Sequence, residues 1–219
     1  MPPNAPAELD ANVVAQVRSQ VADLLHPRYD THFNILRWLQ SCEFNVPKTV
    51  HNLRKHLKWR KERHLDEDAR GLQSCPITAE YAPVSIIGPN RKNGDRLIVV
   101  DQSGEAYHNT SKYPSKLDIR GVMNSIQPTQ YLHQLFRNFE KILTMLNEME
   151  ARTGVQCSIY YVFDLEGLSF DPTLLGILSG MFLRFRGPFR VSWQLIGQHY
   201  REFINQFVVI NTPSYINVL

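Results

Sequence analysis

Leu97-Ile98-Val99-Val100, Ile159-Tyr160-Tyr161-Val162-Phe163 and Phe207-Val208-Val209-Ile210 are apolar at every position. Each run is followed at once by an acid or an asparagine: Asp101, Asp164 and Asn211. A strand with one wet face alternates apolar and polar residues, whereas a continuous apolar run belongs to a strand covered on both faces. Long helical segments separate the three runs. The pattern therefore predicts an α/β fold built on a mixed, mostly parallel sheet under helices, and leaves one face of that sheet as either packed core or an apolar hollow.

The rest of the chain divides around this sheet. Val13, Val14, Val17, Val21, Leu24 and Leu25 have helical spacing, and His26-Pro27 ends that helix. Asp30 or Thr31 is placed to cap a second helix presenting Ile35, Leu36 and Leu39, with Trp38 close by. Val46, Val50, Leu53 and Leu57 mark a third, with Pro47 in its first turn. Residues 8–64 thus read as a small three-helix unit, 65–82 as a linker over the surface, and 83–219 as the α/β domain. Within the latter, Val84–Ile87 and Arg96–Asp101 flank a loop with an Asn93-Gly94 turn signal and form a hairpin. Pro128 opens a helix to about Arg152, and two further helices, Pro172 to Phe185 and Phe189 to Tyr200, precede the last strand.

The composition, 43% hydrophobic and 21% charged over 219 residues, is that of an ordinary globular protein. A net charge of +3 does not point to a polyanion, and no nucleic-acid module is visible. Cys42, Cys75 and Cys157 lie far apart, without metal-ligand spacing, as in a reducing compartment. The N-terminal residues lack the apolar core of a signal peptide, and the greasiest window, Leu174–Phe185, is shorter than the roughly 20 residues of a membrane span. A cytoplasmic protein, peripheral at membranes, is the expectation.

Motifs for catalysis are missing: there is no G-x-S-x-G, G-x-G-x-x-G or H-E-x-x-H. Asp164 and Glu166, two apart at a strand end, direct their carboxylates away from a common substrate, so Asp164 is expected to hold a turn. His51 and His56 miss the spacing of a shared metal and read as solvated or structural. Arg54, Lys55, Lys58, Arg60, Lys61 and Arg63 spread over the face of the third helix opposite Leu53 and Leu57. Either that face is simply solvated, or Arg54, Lys55, Lys58 and Lys61 meet anionic lipid head groups. The helix Leu174–Phe185 is apolar nearly all round and serves either as core or as the wall of a cavity.

Taken together, five segments resemble the CRAL-TRIO lipid-binding domains, the family of cellular retinaldehyde-binding protein, α-tocopherol transfer protein and the yeast phosphatidylinositol/phosphatidylcholine transfer protein. They are Ile35 to Val46, Leu57-Lys58-Trp59-Arg60-Lys61-Glu62, Asn93 to Val99, Phe163-Asp164-Leu165-Glu166-Gly167-Leu168-Ser169, and Tyr200-Arg201-Glu202 with Val209-Ile210-Asn211-Thr212-Pro213. The resemblance implies a non-catalytic carrier or sensor, with a helical N-terminal unit packed on a sheet that floors a pocket for one hydrophobic molecule. No metal and no cofactor beyond a bound lipid is implied. Val99, Ile159, Tyr161, Phe163, Phe207 and Val209 would then face the pocket, joined by Met181, Phe182 and Phe185, and Glu202 would retain part of a head-group site.

Departures from the family pattern bear on the ligand. Cys42 and Glu43 stand where phosphoinositide-binding members carry basic residues, which argues against phosphoinositides. Ile159 and Tyr161 replace small hydroxyl residues that touch phosphatidylcholine. The chain also stops at Leu219, where the family continues into a lid helix, so an incomplete domain with a pocket open on one side is expected. The rival expectation is a protein-interaction module on the same scaffold, its pocket filled by Tyr161 and Phe163.

Overall fold

A computed structural model of the chain describes residues 5–67, 76, 84–92, 94–102, 127–166, 188–212 and 214. Three helices come first: α1 (Ala5–Val21), α2 (His32–Ser41) and α3 (Val46–Glu62). Thr31 caps α2 by accepting from the Asn34 amide at 3.1 Å, and Asn45 caps α3 by accepting from the Lys48 amide at 3.0 Å. Val14, Val17, Ile35, Leu39, Leu53 and Leu57 interlock as the core of this unit. Leu65, read as the start of a surface linker, is buried, and neighbouring Asp66 is paired with Arg60, so the first turn after α3 belongs to the helical unit.

The sheet follows as β1 (Val84–Pro89), β2 (Arg96–Gln102), β3 (Ser158–Asp164) and β4 (Ile204–Ile210), in that spatial order. β1 and β2 form the antiparallel hairpin, with a bulge between Ile86 and Gly88. β2–β3 and β3–β4 are parallel, as the continuous apolar runs require. The long helix α4 (Pro128–Thr153) lies before β3, and α5 (Pro188–His199) before β4. Left-handed Gly154, at φ 68°, closes α4, a conformation that costs glycine little. The segment 172–185, with its expected helix, lies outside the described residues.

One expectation fails at β4. Among the described residues this strand is an edge, and Phe207, Val209 and Ile210 are 51%, 43% and 40% exposed. An apolar run shows that a strand is greasy on both sides, but not that both sides are covered.

Candidate functional site

Strand register puts Leu97, Val99 and Asp101 of β2 beside Ile159, Tyr161 and Phe163 of β3, and the latter pair beside Phe207 and Val209 of β4. Successive strand residues alternate faces, so these side chains share one surface of the sheet. Helices α4 and α5 lie over it. The Phe139 ring of α4 stacks parallel to Tyr161 at 6.4 Å, and the Trp193 ring of α5 meets Tyr161 edge-on at 5.0 Å. Val99, Ile159 and Tyr161 are fully buried, Tyr161 between the Phe139 and Trp193 rings. Towards β4 the aromatic surface opens: Phe163 and Phe207 stack at 5.8 Å, Trp193 contacts both, and Phe207 reaches solvent. Met181, Phe182 and Phe185 lie outside the described residues. The other face, with Ile98, Val100, Tyr160 and Val162, is half-buried.

The polar residues that end the three strands have separate tasks. Asp164 Oδ1 accepts from the Glu166 amide at 3.1 Å and the Asn211 side-chain amide at 2.8 Å, tying the ends of β3 and β4 together. This is the turn role its position suggests. Asp101 instead turns inward, where its Oδ2 accepts from the Tyr161 hydroxyl at 3.1 Å. Burial pushes its carboxyl up to about 6, the Tyr161 hydrogen bond offsetting part of the rise.

Between the helical unit and the sheet domain lies a polar and aromatic junction. Arg37 of α2 is buried against Glu150 of α4, donates to the Cys157 carbonyl at 2.6 Å and lies over the Phe203 ring. Arg60 of α3 grips Glu140 through two bonds of 2.8 and 3.0 Å and Asp66 at 2.7 Å, above the Tyr29 ring. The Tyr200 hydroxyl donates to the same Glu140 at 2.8 Å. His56 of α3 and His199, the last residue of α5, meet Nδ1 to Nδ1 at 3.0 Å, and Trp59 stacks on His199 at 3.7 Å. Burial, with Arg60 and Arg201 adding to it, holds His56 well below the usual histidine range; burial, with Arg63 next, takes His199 down to about 4. A cleft of about 350 Å³ opens beside this junction, its surface mostly apolar, between Thr31, Arg60, Glu140, Leu143, Asn147 and Ala151.

The basic helix face is not uniform. Lys55, Lys58 and Lys61 are exposed. Arg60 is buried, and Arg54 forms two 2.6 Å bonds to Asp23, so neither stands free as a membrane-facing charge. Composition separates none of these; the partners lie up to 80 residues away. His56 is the structural histidine expected, while His51 is exposed. Among the described residues no group of three or more His, Cys, Asp or Glu is placed to hold a metal, and no helix is long and apolar enough to cross a membrane.

A sequence profile of the CRAL/TRIO domain matches residues 84–219. The chain belongs to the CRAL/TRIO domain family. A profile described as a domain of unknown function matches residues 7–68, the helical unit. A CRAL-TRIO domain-containing protein of Caenorhabditis elegans is 55% identical over the whole chain, which spans 51% of that relative. Two Arabidopsis thaliana proteins named phosphatidylinositol/phosphatidylcholine transfer proteins are 25% and 30% identical, covering 94% and 78% of the chain and 31% and 29% of their own lengths. The chain thus spans about half, or less, of the curated relatives it matches. The crystal structure of Sfh5 superposes with a TM-score of 0.65 at 11% identity, covering 99% of this chain and 75% of that one, and shares the fold.

Of the two residues expected to depart from the CRAL/TRIO pattern, Cys42 is buried near Asn52, and Glu43 is exposed in a left-handed turn at φ 54°. Glu202 is likewise exposed, at φ 56°, and its neighbour Arg201 lies over Trp38 of α2. The Tyr200-Arg201-Glu202 turn therefore rests on the helical unit. No local signal marks Trp193 as the cover of the sheet, because its role depends on where α5 crosses β3.

Proposed function

We propose that this chain binds one hydrophobic, lipid-like molecule for intracellular transfer or sensing, without catalysis, in the cytoplasm and in transient contact with membrane surfaces. The aromatic sheet face carries the reading: it runs from the buried Tyr161 through Phe163 to the half-exposed Phe207 and Val209, with Trp193 over it. Such a surface holds an acyl or isoprenoid chain by removing apolar area from water, at about 25 cal/mol per Å². Family membership and the transfer proteins among its relatives support the same reading. Exposed Lys55, Lys58 and Lys61 supply the membrane-facing charge. Native mass spectrometry after gentle purification tests the proposal: a co-purifying lipid is expected, and protein that stays empty when offered mixed lipid vesicles would overturn it.

The second reading, an interaction module with a filled pocket, draws on the enclosure of Tyr161 by Phe139 and Trp193. Empty protein whose Tyr161→Ala variant also takes up no lipid is the result that favours it.

A further inference from the structure

Among the described residues, the buried carboxylates Glu150 and Asp164 have several partners, and Asp101 is the exception. Glu150 is held by Arg37 and accepts from the Cys157 amide at 2.8 Å, and Asp164 accepts from a backbone amide and from Asn211. Asp101 is 6% exposed and receives a single hydrogen bond, 3.1 Å from the Tyr161 hydroxyl, with no cation against it among the described residues. A carboxylate can accept about four hydrogen bonds, and one buried without a counter-charge is costly. Natural proteins accept that cost at sites completed by something else.

Its position indicates what that is. Asp101 lies at the carboxyl end of a parallel strand, the end of open α/β sheets where ligands are received. It shares the aromatic face with Val99, Tyr161 and Phe163. Tyr131 of α4 is near enough that the Asp101 charge adds to the burial pushing its phenol up. Carboxylate and aromatic rings together attract cations.

We propose that Asp101 receives the polar end of the bound lipid, and that this end is a protonated amine. This rests on the lipid-binding function proposed above. A phosphate brought against Asp101 would meet like charge, with no cation among the described residues to neutralise it. A quaternary ammonium carries the right charge but no N–H, and leaves the carboxylate's hydrogen-bonding capacity empty. A protonated amine supplies both, its N–H groups bonding to the oxygens that Tyr161 leaves open.

The test incubates the full chain with vesicles of equal parts dioleoyl phosphatidylethanolamine, dioleoyl phosphatidylcholine and dioleoyl phosphatidic acid at pH 7.4, then identifies retained lipid by native mass spectrometry. The expected result is at least tenfold preference for the ethanolamine lipid. Asp101→Asn should abolish the preference while melting no lower than the parent without lipid, since it removes a buried charge. Tyr161→Phe, which keeps the carboxylate, should preserve it. Equal retention of the three lipids, preference for phosphatidic acid, or an Asp101→Asn variant with undiminished preference would each overturn this inference and leave lipid binding standing. Retention of no lipid at all overturns both.

Discussion

Replacing Arg37 by methionine removes the charge that neutralises Glu150 where α2 meets α4 and β3. Both side chains are almost fully enclosed, at 1% and 2% exposure, so water cannot take over the lost contacts. Burial already pushes the Glu150 carboxyl up despite Arg37 beside it. The Cys157 carbonyl and the Asn34 side-chain oxygen lose their donor as well. Removing one partner of a buried pair costs about 3–5 kcal/mol. For a chain of this size that is a fall in Tm of about 6–20 °C. Thermal melts followed by circular dichroism measure it directly. Adding Glu150→Gln removes the stranded charge and keeps an acceptor for the Cys157 amide, so the double variant should recover about 1–3 kcal/mol. In the single variant Glu150 takes a proton more readily than in the unfolded chain, so its deficit should shrink as the pH falls towards 5. A single variant losing under about 1 kcal/mol, or a double variant no better than the single, would refute the argument that this pair joins the two parts.

The His56–His199 contact makes stability sensitive to acid. Both histidines have folded values below the unfolded value near 6.5, so the unfolded chain binds more protons between that pH and about 4. Their contribution is complete above pH 6.5 and is lost as the pH falls towards 4, and His199→Asn should flatten Tm against pH over that window; an unchanged slope contradicts the assignment. Asp101 acts with the opposite sign, so the acid loss should be steeper in Asp101→Asn. Replacing Lys55, Lys58 and Lys61 together by glutamine should weaken binding to phosphatidylserine vesicles by about 3 kcal/mol, on the order of 100-fold, in flotation assays at low salt. A change below threefold would place the membrane contact elsewhere.

Strand and helix positions were legible in the residues because their signals are local. The apolar runs locate β2, β3 and β4, Thr31 starts α2, Pro47 stands in the first turn of α3, and Pro128 opens α4. The motif order from Ile35 to Pro213 carried the family, now matched over residues 84–219. What the sequence alone could not decide is which side chains of those elements meet. Arg60 looked like one more cation in a basic run until Glu140 and Asp66 closed around it. Asp101, Asp164 and Asn211 occupy equivalent positions after three similar strands, yet two join each other and the first is buried beneath Tyr161. Periodicity and capping are properties of neighbours along the chain, whereas the burial and pairing of a charge depend on groups brought together from distant parts of it, and only the tertiary structure decides those.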